Sequence, residues 1–125
     1  MPNVSKKILL VEDDISLMEM YSLKFNEQGY QILQAHDGVE ALEVAIKQQP
    51  DIILLDIMMP KMDGFATLTE IRKTEKIKHT PVVLLSNLGQ KDDIEKGKKL
   101  GATDYIVKAS LTPAELFSKA LSYLK

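Results

Sequence analysis

Carboxylates, a hydroxyl and an amine stand at the ends of apolar runs in this chain, where another Val or Ile would be expected. The run DIILLD ends in Asp56, and the run KKILLV is followed at once by Glu12 and Asp13. The run PVVLLS ends in Ser86, and Lys108 stands near the end of DYIVKA. Because a charge at the end of a buried strand is costly unless it is paired, these residue types indicate a functional site.

The chemistry that suits this set is phosphoryl transfer. Carboxylates brought to one edge of a sheet raise one another's pKa, so a cation must compensate. Mg²⁺ prefers oxygen ligands, takes one or two carboxylates directly and keeps waters. Lys108 supplies a point charge of the kind that binds phosphate. Asp56 would be the covalent nucleophile, and Ser86 would donate a hydrogen bond to the phosphoryl group.

The apolar runs predict the elements that position these side chains. Unalternating runs rich in Ile, Val and Leu indicate strands covered on both faces, as in a parallel sheet. Segments with helical spacing follow each run, which predicts an α/β, doubly wound (βα)5 flavodoxin-like fold with helices on both faces and strand order 2-1-3-4-5. Strand 1 then neighbours strand 3, so Glu12, Asp13 and Asp56 converge. The five runs are KKILLV (6–11), YQILQA (30–35), DIILLD (51–56), PVVLLS (81–86) and DYIVKA (104–109).

The predicted helices carry apolar residues at helical spacing and recognisable start signals. Thr112-Pro113-Ala114-Glu115 reads as an N-cap, a proline in the first turn and a capping-box glutamate. Asp14 and Asp63 are interpreted as helix caps or turn residues rather than as part of the site. The spaced apolar sets are Ile15, Met18, Tyr21 and Phe25; Val39, Leu42 and Ile46; Phe65, Leu68 and Ile71; Ile94, Gly97 and Leu100; and Leu116, Ala120 and Leu124.

Composition limits the classes of function. The 125 residues, 45% of them hydrophobic, fit one domain over 1–125 with one core. A formal net charge of -2 provides no general attraction to nucleic acid. The absence of cysteine excludes disulfides, thiolate zinc sites and a Cys nucleophile. Since no apolar run approaches the roughly 20 residues of a membrane span, and the N-terminus lacks a signal-peptide pattern, we expect a cytoplasmic domain.

These motifs together resemble a receiver domain of the bacterial two-component response regulators, and the chain is similar to the single-domain chemotaxis-type members. The motifs are ILLVEDD, LLDIMMPKMDG, PVVLLSN and LGATDYIVKA, each at a predicted strand end. The resemblance covers the chain from about Lys7 to Leu124. A chemotaxis regulator of this family is itself a standard example of the 2-1-3-4-5 strand order.

The resemblance implies that Asp56 is phosphorylated by a sensor histidine kinase or a phosphotransfer protein. It also implies a Mg²⁺ site, in which Glu12, Asp13 and Asp56 bind the ion directly or through water and the backbone carbonyl of Met58 completes the protein ligands. Such a domain catalyses only its own phosphorylation and dephosphorylation and is not otherwise an enzyme.

The resemblance further implies a switch. Ser86 matches the family's switch hydroxyl, and Lys108 matches its invariant lysine. Tyr105 matches its switch aromatic, which turns inward when the hydroxyl moves toward the phosphoryl group. Phosphorylation would alter a surface at helix 4, strand 5 and helix 5 that binds a downstream protein of unknown identity. Homodimerisation on phosphorylation is open, and no direct contact with nucleic acid or membrane is expected.

Two departures from the family pattern affect these expectations. Lys108 is followed by Ala109 instead of the usual proline with a cis peptide, so the Lys108–Ala109 bond is left open as cis or trans. The stretch from Lys108 to Leu116 is one residue longer than usual. The sequence also stops at Lys125, directly after the last predicted helix. We therefore expect no output domain, while a stand-alone protein and an excised piece both stay open.

Two other functions compete with the switch. A haloacid-dehalogenase-like phosphatase would also use a strand-end Asp, but it needs a second Asp two residues on, where this chain has Met58. A degenerate receiver would bind partners without phosphorylation, and failure to bind Mg²⁺ would indicate that. A further hypothesis concerns Met58 and Leu88, which lie two residues after Asp56 and Ser86: their apolar side chains would hinder water and prolong the phosphorylated state.

Overall fold

The computed structural model describes residues 6–59, 61–87 and 91–124, apart from the side chain of Ala109. Its strands form one parallel sheet in the order β2-β1-β3-β4-β5, as predicted. The elements are β1 (Lys7–Val11), α1 (Ile15–Glu27), β2 (Gln31–Ala35), α2 (Gly38–Gln48), β3 (Ile52–Asp56), α3 (Gly64–Lys73), β4 (Val82–Ser86), α4 (Lys91–Lys99), β5 (Asp104–Val107), a 3-10 turn (Lys108–Ser110) and α5 (Pro113–Leu121).

Alternate residues of each strand face opposite layers of helices. In β1, Ile8 and Leu10 belong to the core that α1 and α5 cover, whereas Leu9 and Val11 belong to the core beneath α2, α3 and α4. Both β3 and β4 are buried along their whole length, which is why their sequences do not alternate. Helices therefore cover both faces, and the predicted doubly wound flavodoxin-like fold is confirmed.

The predicted helix starts are also confirmed. The side chains of Asp14 and Asp63 accept hydrogen bonds from the first turns of α1 and α3. Thr112 and Glu115 form the complete capping box of α5. Ile15 differs from its prediction: it is the first residue of α1, at the rim of the sheet, and is 65% exposed.

The buried face of α2 differs from its prediction at two of three residues. Val39 and Ile46 are exposed, and the helix instead packs through Gly38 and its alanines. The reason is close approach to α3, since a Cβ on Gly38 would lie 2.1 Å from the Oγ1 of Thr67. Only small side chains fit between helices at that distance. Leu42, as predicted, is partly buried against the core, as is Val44, whereas Val39 and Ile46 face outward.

Helix α4 meets the sheet mainly through Gly97, the buried residue among those described in this helix. A Cβ at this position would lie 2.8 Å from Leu84 Cδ1 and 3.4 Å from Tyr105 Cδ2. The glycine therefore lets a helix of mostly charged residues lie close to β4 and β5.

Ile94 and Leu100 are partly buried against the core, as predicted, and polar contacts supply the rest of the attachment of α4. The amine of Lys96 lies over the ring of Phe65 in α3, 4.5 Å from the ring centre, which is cation–π geometry. At the turn after α4, the guanidinium of Arg72 donates hydrogen bonds to the Gly101 carbonyl from Nε at 3.0 Å and from Nη2 at 2.8 Å. Arg72 thus ties the end of α4 to α3.

The start of α3 packs directly on the strand that carries Asp56. A Cβ on Gly64 would lie 2.6 Å from the carbonyl oxygen of Asp56 and 2.7 Å from Cα of Ile57. Both neighbours are backbone atoms, which cannot move aside without shifting β3. Gly64 is therefore required for the distance between α3 and the carboxyl end of β3.

We expect Gly64→Ala to destabilise the domain more than Gly97→Ala does. The overlap at position 64 is with backbone, and overpacking of this kind costs about 1–3 kcal/mol. The closest overlap at position 97 is with a leucine methyl that can rotate, and the gain in helix propensity of up to about 1 kcal/mol offsets it. Urea unfolding of the two variants and the wild type tests the order. Equal midpoints for the two variants would contradict the backbone argument.

Candidate functional site

The carboxyl ends of the strands meet at one edge of the sheet. Val11 is the partner of Leu55, so the residues that follow them, Glu12 and Asp56, lie next to each other. A cavity of about 280 Å³ opens at this edge. It is lined by Glu12, Asp13, Asp14, Leu17, Asp56, Met58, Asn87 and Lys108.

The carboxylates form a cluster that matches a hard cation. Glu12 and Asp56 are 1% and 5% exposed, whereas Asp13 is exposed. Each contributes one carboxylate oxygen, and these oxygens lie within 4.8 Å of one another. An all-oxygen donor set that faces an open cavity fits Mg²⁺, which accepts a few carboxylates and retains waters. The backbone carbonyl of Met58 as a further ligand stays a prediction.

Lys108 bridges the two buried carboxylates. Its Nζ donates a hydrogen bond to Glu12 Oε1 at 2.8 Å and lies 3.4 Å from Asp56 Oδ2. Burial lowers the pKa of Lys108, but the hydrogen bond to Glu12 and the charge of Asp56 outweigh it and raise the pKa above the usual value. The lysine is therefore charged and provides the positive charge that the site needs.

Two backbone N–H groups bind the second oxygen of each carboxylate. The backbone N–H of Asp14 donates to Glu12 Oε2 at 3.2 Å, and that of Met58 donates to Asp56 Oδ1 at 3.3 Å. Burial raises the pKa of Asp56, Lys108 lowers it and Glu12 raises it, and the result is a pKa of about 7. Without a divalent cation, Asp56 is thus partly protonated near neutral pH.

A 3-10 turn replaces the family's proline after the lysine. The described residues contain no cis peptide, so the Lys108–Ala109 bond is trans. The backbone turns at Lys108–Ser110, and the backbone N–H of Leu111 closes this turn by donating to the Lys108 carbonyl at 3.3 Å. Lys108, at the start of this turn, reaches both carboxylates, and the turn ends before Thr112, the N-cap of α5.

Ser86 and Tyr105 lie on the neighbouring strands β4 and β5. Ser86 is fully buried, and Tyr105 is 9% exposed. Burial raises the pKa of Tyr105, a hydrogen bond with Ser86 lowers it and the charge of Asp93 raises it, with a net increase. The Tyr105 side chain is thus buried and hydrogen-bonded with the Ser86 hydroxyl. Their role as a switch stays a prediction.

Sequence reasoning missed two residues of α1 at this site. Leu17 lines the cavity, and Tyr21, although predicted only as a core residue, is close enough for the charges of Lys108, Glu12 and Asp56 to affect its pKa. Burial is the main cause of the raised pKa of Tyr21. Helical spacing correctly placed Tyr21 in the core, but nearness to the charges depends on how α1 lies across β1 and β3.

The pKa of Asp56 predicts an unusual pH dependence of stability. The pKa of Asp56 is about 7 in the folded protein, against an ordinary value of 3.8. At pH values between these two, the folded state therefore binds more protons than the unfolded chain. The contribution of Asp56 to stability therefore falls as pH rises from about 4 to about 7, by an amount on the order of 2–4 kcal/mol.

The test is urea unfolding of metal-free protein across this pH range, beside Asp56→Asn. The stability of the wild type relative to the variant should decline through the window and then level off. Parallel stability curves for the two proteins would contradict the raised pKa.

Comparison with known proteins adds independent findings. The sequence profile of the family described as the response regulator receiver domain matches residues 8–120. The probable transcriptional regulator ycf27 of Cyanophora paradoxa is 39% identical over 120 residues, which are 96% of this chain and 48% of that protein. The chain spans about half the length of the curated relatives it matches. Within the described part of the chain, no helix has the length and apolar content needed to cross a membrane.

Solved structures agree with the fold. The chemotaxis protein CheY4 of Vibrio cholerae superposes with a TM-score of 0.90 at 34% identity, covering 97% of this chain and all 100% of that one. The receiver domain of sensor histidine kinase PA1611 from Pseudomonas aeruginosa, with a magnesium ion coordinated in its active site cleft, has a TM-score of 0.86 at 29% identity. The match to PA1611 covers 97% of this chain and 98% of that one.

Proposed function

This chain belongs to the response regulator receiver domain family, and on that premise we propose that phosphorylation of Asp56 controls which protein it binds. The phosphoryl donor is a sensor histidine kinase or a histidine phosphotransfer protein. The observation that carries the proposal is the contact of Lys108 with both Glu12 and Asp56 in one open cavity. A buried carboxylate with a cation within reach has the requirements of a phosphoryl acceptor.

Mg²⁺ is the proposed cofactor. Glu12, Asp13 and Asp56 would hold it, with the Met58 carbonyl as a further ligand, and their clustered oxygens support this. The related PA1611 receiver domain with magnesium in its cleft supports it as well. When bound, the ion supplies positive charge for the phosphoryl oxygens and for the ionised form of Asp56.

The proposed transfer is a displacement at phosphorus. An Asp56 carboxylate oxygen attacks the phosphorus of a phosphohistidine, a P–O bond forms, the P–N bond breaks, and the imidazole leaves. Lys108, now 3.4 Å from Asp56 Oδ2, is close enough to donate to a phosphoryl oxygen there. The Ser86 hydroxyl would donate to another, and that movement would alter its contact with Tyr105.

The proposed output is a protein-binding surface formed by α4, β5 and α5. Tyr105 is in contact range of α4, since Gly97 allows that helix within van der Waals distance of its ring. A change at Ser86 and Tyr105 would therefore reach the outer surface. Homodimerisation on phosphorylation, a cytoplasmic location and stand-alone action stay predictions. The relative ycf27 is described as a transcriptional regulator. For this domain we propose binding to protein rather than to DNA.

The proposed chemistry is limited to the domain's own phosphorylation and dephosphorylation. A phosphatase of the haloacid dehalogenase type would need an acid two residues after Asp56, and the apolar side chain of Met58 lines the cavity there. Repeated turnover of ordinary phosphomonoesters would contradict this limit.

The test of the proposed function is the intact mass of the protein after incubation with a small-molecule phosphodonor. We expect one added phosphoryl group with Mg²⁺, much less without it, and none in Asp56→Asn. Asp63→Asn is a matched control, because Asp63 lies in the loop that follows Asp56 and asparagine also caps helices well. No addition to the wild type, together with no Mg²⁺ binding, would indicate a degenerate receiver.

The side chain of Met58 should also govern how long the phosphoryl group lasts. It lines the cavity and is 62% exposed, so water that attacks the phosphorus passes beside it. Its proposed companion Leu88 lies outside the described residues. Met58→Asn should shorten the lifetime of the phosphorylated protein by about 3- to 10-fold, the factor that one hydrogen bond to the transition state supplies. Phosphate release measures it, with Met20→Asn on α1 as control. An unchanged lifetime would contradict the shielding role.

A further inference from the structure

Met58 is the most exposed methionine among the described residues, and it stands beside the phosphorylation site. It is 62% exposed, against 40% for Met20, and the other described methionines are more buried. Its side chain lines the cavity that contains Asp56 and also a neighbouring groove of about 480 Å³. Its backbone N–H donates to Asp56 Oδ1, so the residue is held close to the carboxylate.

We propose that Met58 is an oxidation site, through which hydrogen peroxide shortens the phosphorylated state of Asp56. This inference rests on the proposed function. The sulfur attacks one oxygen of the peroxide, an S–O bond forms and the O–O bond breaks. The departing hydroxide takes the proton of the transferred oxygen and leaves as water. Sulfur is oxidised by two electrons and the peroxide is reduced by two, which gives methionine sulfoxide.

The electrostatics of the cavity select the oxidant. The cavity that Met58 lines is also lined by Glu12, Asp13 and Asp14. The nearby Lys108 already donates a hydrogen bond to Glu12. An excess of negative charge disfavours anionic oxidants, whereas hydrogen peroxide is neutral and small. Because Met58 is exposed on the open side, the peroxide reaches its sulfur without entering the carboxylate cluster.

The sulfoxide changes the chemistry of the cavity mouth. A thioether is apolar and a weak acceptor, so Met58 offers water little beside Asp56. The sulfoxide oxygen is a good acceptor, and it would hold a water next to the phosphoryl group. The oxygen of that water attacks phosphorus and forms a new P–O bond, the bond from phosphorus to the Asp56 oxygen breaks, Asp56 returns to a carboxylate, and inorganic phosphate leaves with the oxygen and both protons of the water. Methionine sulfoxide is reducible by enzymes, so the effect is reversible.

The test uses the full chain in the unphosphorylated state first. Peptide mass spectrometry after graded hydrogen peroxide treatment should find sulfoxide at Met58 before Met20. The treated protein is then phosphorylated with a small-molecule donor and Mg²⁺, and phosphate release should be about 3- to 10-fold faster than in untreated protein. Met58→Gln, which places a polar acceptor of similar length there, should show the faster release without peroxide.

Two leucine variants show which methionine is responsible for the effect of peroxide on phosphate release. In Met58→Leu, peroxide-treated and untreated samples of the same variant should release phosphate at equal rates. Met20→Leu should respond to peroxide as the wild type does. Slower oxidation at Met58 than at Met20, or complete oxidation of Met58 with no change in release, would overturn the inference. Failure of the untreated wild type to take up phosphate would overturn the proposed function itself, and this is seen before any peroxide is added.

Discussion

The ion pair and hydrogen bond of Lys108 connect two carboxylates that would otherwise repel each other inside the protein. Parallel strands place Glu12 and Asp56 side by side, because both follow paired residues of β1 and β3. Buried charges of one sign are unstable unless a cation is close. Nζ of Lys108, 2.8 Å from one carboxylate and 3.4 Å from the other, meets this need. The 3-10 turn and the capped start of α5 matter chiefly because they keep this lysine in place.

The charge of Lys108 only partly offsets the burial of Asp56 and the charge of Glu12, which leaves room for a bound cation. Asp56 still has a pKa of about 7, since burial and Glu12 together outweigh Lys108. A divalent cation would complete the neutralisation, favour the ionised form of Asp56 and stabilise the fold through its binding. The site thus lowers the stability of the metal-free fold, as functional sites commonly do.

The sequence predicted most of what depends on strand ends. The order of the strands, the nearness of Glu12 to Asp56 and the caps at Asp14, Asp63 and Thr112 follow from local patterns and the rules of parallel sheets. Prediction from the sequence failed where the distance between two helices decides which residues are buried. The inner face of α2 is glycine and alanine because α3 is close, and spacing alone favoured Val39 and Ile46. The trans peptide after Lys108 and the nearness of Tyr21 to the charges likewise depend on tertiary contacts.

The sparse packing of α4 has an evolutionary consequence. Gly97 is the buried residue of this helix within the described chain, while Arg72 and Phe65, which help to hold it, belong to another helix. Apart from Gly97 and Ile94, which contact the core, most positions of α4 can therefore accept new side chains without disturbing it. Duplicated copies of such a domain can diverge in α4 and acquire separate partners while the charges at the strand ends stay the same. Insulation between parallel signalling pathways can then arise from substitutions remote from the carboxylate cluster.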